Sequence, residues 1–228
     1  MGIRDVLVVD DEEDLVEVFV EVLEIQGLQP IGVTHLEELP RQIQERHPGT
    51  LILDERMHDG SGLKMLERLS KQSVQLPMTL MATGDEGIDF EKAFRLGVSA
   101  ILFKPFNVEK VSLFLENALA YDPQFVARKW LRFPVGLQAL ILGEPVQLID
   151  ICAGGCSIYP IGSSTLSLFK DVIVRLNLTD HQGRELILEV APTWFRDSKV
   201  GMKFIASESL PRTDLMKFIS NVAARQIS

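Results

Sequence analysis

Cysteine is nearly absent from the chain: two residues in 228, Cys152 and Cys156, in the run Cys-Ala-Gly-Gly-Cys. That count excludes a disulfide framework. With no further cysteine or histidine close by, the pair makes a poor zinc site, so both are expected as reduced thiols. Positive charge is scarce too. Lys and Arg number 23 against 32 Asp and Glu, a net charge of −9, which argues against a surface built to coat nucleic acid. Long apolar runs are missing: the longest uncharged stretch, Ile151–Phe169, is broken by Gly154, Gly155, Pro160 and Gly162 and does not read as a membrane span. The start, Met-Gly-Ile-Arg-Asp, has early charges and no apolar signal core, and Val6 stands where a myristoylation pattern needs Ser or Thr. Repeats and low-complexity tracts are absent. A cytoplasmic protein without membrane insertion is the expectation.

What is present is ordinary globular composition, 46% hydrophobic and 24% charged, at a length suited to one large domain or two small ones. The charge is unevenly placed. Residues 1–121 carry 22 acidic against 11 basic side chains, whereas residues 122–228 carry 10 against 12. Such a split suggests two modules with different ligands.

The first half alternates between two patterns. Asp5–Asp10, Thr50–Leu53, Pro77–Ala82 and Ser99–Phe103 are short apolar runs, and Gln29–Val33 is a weaker one; these predict strands of a parallel sheet buried on both faces. Between them, Leu15, Phe19, Val22, Leu23 and Gln26 follow a helical period closed by Gly27. Leu63, Leu66 and Leu69 mark another helix, Phe90–Leu96 a third ended by Gly97, and Leu36–Arg46 and Val108–Leu119 two more. Five strand–helix units predict an α/β fold, a five-stranded doubly wound parallel sheet, over residues 1–121.

Residues 122–127 read as a short, proline-bearing linker, and the texture then changes. Leu137–Leu142, Val146–Asp150, Gly155–Tyr159, Asp171–Leu178, Leu186–Trp194 and Val200–Ile205 are short strand-like segments, with His181-Gln182-Gly183 as a hairpin connection. Over residues 128–228 this predicts a small antiparallel β-barrel. Leu215, Phe218, Ile219 and Val222 add a C-terminal amphipathic helix.

Ligands of a parallel sheet gather at the carboxyl ends of its strands. There the sequence places Asp10-Asp11, Asp54, Thr83 and Lys104. Converging carboxylates repel one another unless a cation sits among them, and hard oxygen donors suit Mg²⁺. Lys104 and Thr83 supply a cation and a hydroxyl for two phosphoryl oxygens. Helix capping accounts for Glu12 and Glu13 equally well, but not for the whole set at consecutive strand ends.

On these residues the first domain resembles the receiver domain of two-component response regulators, a flavodoxin-like fold. Asp54-Glu55-Arg56-Met57-His58-Asp59-Gly60-Ser61-Gly62-Leu63 follows the family's phosphorylation motif, and Thr83 and Lys104-Pro105 fall at its intervals. The resemblance implies that Asp54 accepts a phosphoryl group from a sensor histidine kinase. It also implies that Asp10, Asp11, Asp54 and the backbone carbonyl of Arg56 organise Mg²⁺, that Lys104 pairs with the acyl phosphate, and that Thr83 bonds a phosphoryl oxygen. Two positions depart from the pattern. His58 replaces the usual proline, a loop change with little expected effect on acceptance. Ile101 stands where an aromatic usually reports the state of the threonine, so the relay is expected to differ, through Phe103 or Phe106, or to be weak.

The seam of the two halves contains Arg128-Lys129-Trp130-Leu131-Arg132-Phe133-Pro134-Val135, with Asp150-Ile151-Cys152-Ala153-Gly154-Gly155 at the end of an early barrel strand. Arginine forks bind guanine edges or phosphate, an aspartate accepts from a base N–H, and glycine allows close backbone approach. The second half resembles a PilZ domain, the bacterial receptor module for cyclic diguanylate (cyclic di-GMP). Arg128 and Arg132 match its R-x-x-x-R motif, and Asp150 and Gly155 the ends of its D-x-S-x-x-G motif. Trp194, Gly201 and Phe204 resemble later strands and are read as core. The resemblance implies that Arg128 and Arg132 clamp the dinucleotide while Asp150, Cys152 and Gly155 cup it. Cys152 replaces the motif's serine, and the lost hydrogen bond is expected to weaken affinity by about 0.5–1.5 kcal/mol.

The leading expectation is therefore a response regulator, not an enzyme, that couples phosphorylation to cyclic di-GMP binding and acts on a downstream protein partner. The alternative keeps the receiver and makes the barrel a ligand-free adaptor. DNA binding is not expected, since neither half shows a recognition-helix pattern. A haloacid-type phosphatase is disfavoured because its Asp-x-Asp motif is absent from the first strand. A homodimer is compatible with either expectation.

Overall fold

The computed structural model describes residues 5–71, 78–82, 88–109, 111, 132–161, 172–179, 183–196, 198–205 and 211–227. Two compact units divide it, one made chiefly of residues 1–131 and the other of Arg132–Val222. The proposed linker 122–127 and Arg128 lie outside the described residues, as does Thr83.

In the first unit, β1 (Asp5–Val9), β2 (Gln29–Val33), β3 (Thr50–Asp54), β6 (Met78–Ala82) and β7 (Val98–Phe103) form one parallel sheet in the order β2-β1-β3-β6-β7. A minute antiparallel pair, β4 (Arg56–Met57) and β5 (Gly60–Ser61), follows β3. Residues 6–9 and 51–53 are fully shielded from solvent, as unbroken apolar runs in a sheet covered on both faces require. The helices are α1 (Glu13–Ile25), α2 (Leu39–Arg46), α3 (Gly62–Ser70) and α4 (Phe90–Leu96). Gly27 and Gly97 take positive φ, 76° and 91°, just past α1 and α4, where the left-handed stop needs glycine. The segment expected to begin α2 is instead a 3₁₀ turn, Leu36–Glu38, and most of the expected helix 108–119 lies outside the described residues. The chain leaves β1 toward β2 and returns to β3 on the other side. The carboxyl ends of β1 and β3 therefore border the crevice where such sheets bind ligands.

The second unit is a closed six-stranded antiparallel barrel, β10-β13-β12-β11-β8-β9. Its strands are β8 (Phe133–Ile141), β9 (Glu144–Cys152), β10 (Gly155–Pro160), β11 (Val174–Thr179), β12 (Glu185–Arg196) and β13 (Lys199–Phe204), followed by helix α5 (Arg212–Ile227). Val146, Leu148, Ile158, Leu176, Leu188, Val190 and Val200 fill the interior. β11 and β12 pair in continuous register as the hairpin expectation requires, although residues 181–182 lie outside the described set. Three register shifts interrupt the alternation, one of them on β8 between Pro134 and Leu137. On β9, Leu148 pairs with Ile158 and Asp150 with Ser157, leaving Ile149 as the extra residue. On β12, Pro192 pairs with Met202 and Trp194 with Gly201, leaving Thr193 extra. Each bulge moves the following residues to the opposite face. No helix among the described residues is long and apolar enough to cross a membrane.

Candidate functional site

Asp10 directly follows β1, Asp11 follows Asp10, and Asp54 ends β3; each brings one carboxylate oxygen to within 4.8 Å of the others. Asp10 is fully buried and Asp54 is 4% exposed. Every carboxylate is held. Asp10 Oδ1 accepts the Glu12 N–H at 3.0 Å, Asp11 Oδ2 the His58 N–H at 2.7 Å, and Asp54 Oδ2 the Arg56 N–H at 2.9 Å. Lys104, just beyond β7, reaches across the rim. Its Nζ lies 2.8 Å from Asp10 Oδ2, 3.1 Å from Glu12 Oε1 and 3.3 Å from Asp54 Oδ1.

Among the described residues, Lys104 is the lysine or arginine that pairs with Asp10 and Asp54. Burial, countered by Lys104 and reinforced by the Asp10 charge, pushes the Asp54 carboxyl up from 3.8 to about 6. Burial works against the Lys104 charge, but its bond to Asp10 and the charges of Asp54 and Glu12 outweigh it and hold the ammonium above its usual range. The donor set is oxygen-only, anionic and convergent, which fits a hard divalent cation such as Mg²⁺. Asp10, Asp11 and Asp54 are the side chains that would hold it. When bound, it would neutralise charge between the Asp54 carboxylate and an anionic phosphoryl donor.

The loop that carries Asp54 is fixed through Glu55 and Asp59, to which the motif reading gave no role, and through the motif's own Ser61, Gly62 and Leu63. Glu55 Oε1 accepts the Ser61 hydroxyl and Oε2 the Leu63 N–H, both at 2.8 Å, while the Glu55 N–H donates to the Met81 carbonyl at 2.9 Å. Asp59 Oδ2 accepts the Leu36 N–H at 2.8 Å. Gly62 opens α3 against the backbone of Asp54, where an added Cβ would meet the Asp54 carbonyl oxygen at 2.4 Å. Gly62→Val is thus expected to displace β3's end and cut acetyl phosphate labelling of Asp54 at least tenfold. Labelling within twofold of wild type would show that the loop tolerates the intrusion. Ile101, the departure from an aromatic, is fully buried in β7, and the Phe106 ring packs edge-on against Phe19 of α1 with centroids 5.9 Å apart.

In the barrel, the Arg132 guanidinium pairs with the Asp150 carboxylate through Nη1, which also donates to Ser157 Oγ at 3.1 Å. Asp150 and Ser157 are 1% and 3% exposed, and Arg132 Nε is buried without a partner among the described residues. The β9 bulge explains why a carboxylate stands here. Unbroken alternation from Val146 and Leu148 would aim Asp150 into the apolar interior; the extra residue turns it to the outer face beside Ser157. Cross-strand pairing continues the row from Ser157 to Gly201 and on to Trp194. A Cβ on Gly201 would collide with the Trp194 indole, so the ring lies across that glycine.

Trp194 is 39% exposed, which corrects its assignment to the core; Phe204 is buried as expected. Cys152 and Cys156 are buried free thiols, and burial pushes both up, keeping them neutral. The hydroxyl that meets Arg132 belongs to Ser157, not to position 152. Gly155 pairs with Cys152 and packs against β13 so closely that a Cβ would meet the Met202 carbonyl oxygen at 2.2 Å.

Residues 6–116 match the response regulator receiver domain family. The phosphate regulon transcriptional regulatory protein PhoB of Escherichia coli (strain K12) is 27% identical over 110 residues, 47% of this chain and 48% of that protein. The alkaline phosphatase synthesis transcriptional regulatory protein PhoP of Bacillus subtilis (strain 168) is 28% identical over 109 residues, 48% of this chain and 45% of that one. A solved two-component response regulator from Clostridium difficile covers 53% of this chain and 98% of its own, with a TM-score of 0.48 at 20% identity. The chain spans about half the length of the curated relatives it matches.

Proposed function

We propose, from the premise that residues 6–116 are a response regulator receiver domain, that Asp54 accepts a phosphoryl group from a sensor histidine kinase. The barrel, in this reading, is a PilZ-type module that binds cyclic di-GMP and passes the combined signal to a protein partner. The observation that carries the first part is the Asp10–Asp11–Asp54 cluster with Lys104 bridging Asp10 and Asp54. Lys104 is placed to follow charge that develops on Asp54, and Thr83, by its position in the sequence, would supply the hydroxyl. Phosphoryl transfer asks for this positioning and charge neutralisation more than for covalent chemistry by the protein.

The second part is supported by the outer-face row Arg132–Asp150–Ser157–Gly201–Trp194. It joins a cationic fork, a carboxylate, a hydroxyl and an exposed indole on neighbouring strands. Those are the groups needed to hold a small, planar, anionic nucleotide. One observation favours the adaptor reading instead: Asp150 is buried and already engaged by Arg132, so a ligand must share or break that pair. Calorimetry with cyclic di-GMP separates the two. Saturable binding at micromolar concentration, with quenching of indole fluorescence that Trp194→Phe reduces, is the expected result. No heat at tens of micromolar would leave the adaptor standing.

A further inference from the structure

Glu12 occupies the N-cap of α1 without capping it. Its side chain accepts no hydrogen bond from the helix's first N–H groups, the usual use of an acidic or hydroxyl side chain at that position. Instead, Oε1 lies 3.1 Å from Lys104 Nζ. The local backbone sets this up. The Glu12 N–H donates to Asp10 Oδ1 at 3.0 Å, and Lys104 donates to Asp10 Oδ2 at 2.8 Å, so one buried aspartate ties both residues together through its two oxygens. Glu12 does not belong to the trio of carboxylates that converge as a cation site.

A lysine ammonium has three donors and no acceptor. Three carboxylates surround this one: Asp10 at 2.8 Å, Glu12 at 3.1 Å and Asp54 Oδ1 at 3.3 Å. To follow a phosphoryl group outward from Asp54, Nζ has to loosen one of its other two bonds. Those partners differ. The Asp10 side chain is fully buried, and stripping a buried carboxylate of its cation is costly. The Glu12 side chain is 67% exposed, so water replaces the lysine at little cost. We propose that Glu12 is a positioning residue for phosphoryl acceptance: it holds Lys104 in the resting site and is the partner that releases it to the phosphoryl oxygen, so that acceptance waits on a bond that must first break. The inference rests on the reading of Asp54 as the acceptor. In the transfer itself an Asp54 oxygen bonds to phosphorus while the donor's oxygen departs with its electron pair. Lys104 keeps its three protons and only exchanges partners.

Glu12→Asp separates holding from plain repulsion, because it keeps the charge. One methylene shorter, an aspartate at an N-cap turns to the N–H groups of its own helix and leaves Lys104. Labelling of the full chain by acetyl phosphate is expected to quicken about threefold in Glu12→Asp and in Glu12→Ala alike, the scale of one exposed ion pair. The gain is expected to shrink at high salt, which already weakens that pair in the wild type. A second readout needs neither cation nor label. In a chelator, the nitrogen-15 resonance of the Lys104 side chain, assigned with Lys104→Arg, is expected to move in Glu12→Asp, and its N–H protons to exchange faster. Rates within about 1.5-fold of wild type in both variants would overturn the proposal, as would an unmoved Lys104 resonance. Quickening in Glu12→Ala alone would also overturn it and make Glu12 a source of repulsion only. If label persisted in Asp54→Asn, the acceptor assignment would fail instead, while the Lys104 resonance would still judge the hold of Glu12.

Discussion

Asp54→Asn is expected to abolish labelling by acetyl phosphate in the presence of a divalent cation, a loss of at least a hundredfold. The amide cannot form the acyl phosphate, and Lys104, which spans Asp10 and Asp54, then has no new charge to follow. Labelling that persisted would move the acceptor to another carboxylate, and Asp11→Asn would identify it. The same substitution has an opposite effect on stability. In the folded protein the Asp54 carboxyl titrates at about 6, above its ordinary 3.8. Folding therefore favours the protonated form; this contribution is fully present below pH 3.8 and is lost as pH rises through about 6. Without a cation, the wild type above that pH carries a desolvated charge that asparagine lacks. Urea unfolding of the first unit's transition in a chelator at pH 8 is expected to show Asp54→Asn more stable by about 1–3 kcal/mol, with the gap closing toward pH 4. A variant less stable at pH 8 would mean that Asp54 is compensated by groups other than those described.

Arg132→Ala is expected to have the largest effect on the barrel. It leaves the Asp150 carboxylate, 1% exposed, without its cation, and removing one member of a buried ion pair costs about 3–5 kcal/mol. Replacing both members separates packing from charge. Arg132→Met with Asp150→Leu is expected to recover most of that loss, because apolar pairs of similar volume substitute well for buried ion pairs. Neither variant is expected to bind cyclic di-GMP. Thermal unfolding and calorimetry on the two variants measure stability and binding independently. A loss below about 1 kcal/mol in the single variant would show that solvent or another group reaches Asp150.

How far the sequence could be read depended on which periodicity governed each segment. In the first unit, the central strands β1 and β3 are buried and apolar nearly throughout, so no parity decision was needed there. β2 matches its expected limits at Gln29–Val33, and Asp10, Asp54 and Lys104 meet where consecutive strand ends must converge. The hydrogen bonds of Glu55 and the space requirement at Gly62 were not legible, because both depend on how the loop after β3 folds back over it. In the barrel, strand positions were legible but facing was not. Alternation assigns Asp150 and Trp194 to the interior along with Leu148 and Val190, and a single extra residue on each strand reverses them. A bulge has no period, so a pattern-based reading passes over it. Ser157 was missed for the same reason: only the flipped Asp150 makes it a neighbour of Arg132. The R-x-x-x-R and D-x-S-x-x-G resemblance pointed to Arg132 and Asp150 and left open that they meet each other.

The closure of the barrel limits how a partner can engage it. An open sheet offers edge strands whose unpaired N–H and C=O groups accept an extended peptide. Here β8 pairs with both β9 and β11, and β10 with both β9 and β13, so every strand of the ring has two neighbours. Where a strand is paired on both sides, strand addition would first require tearing a seam open; among the described residues, β8 133–138 and β12 191–196 are paired on one side only. Recognition of the doubly paired stretches goes through side chains on the outer wall or through the connecting turns. Its specificity is then written in individual residues that substitution can alter one at a time without unravelling the hydrogen-bonded ring.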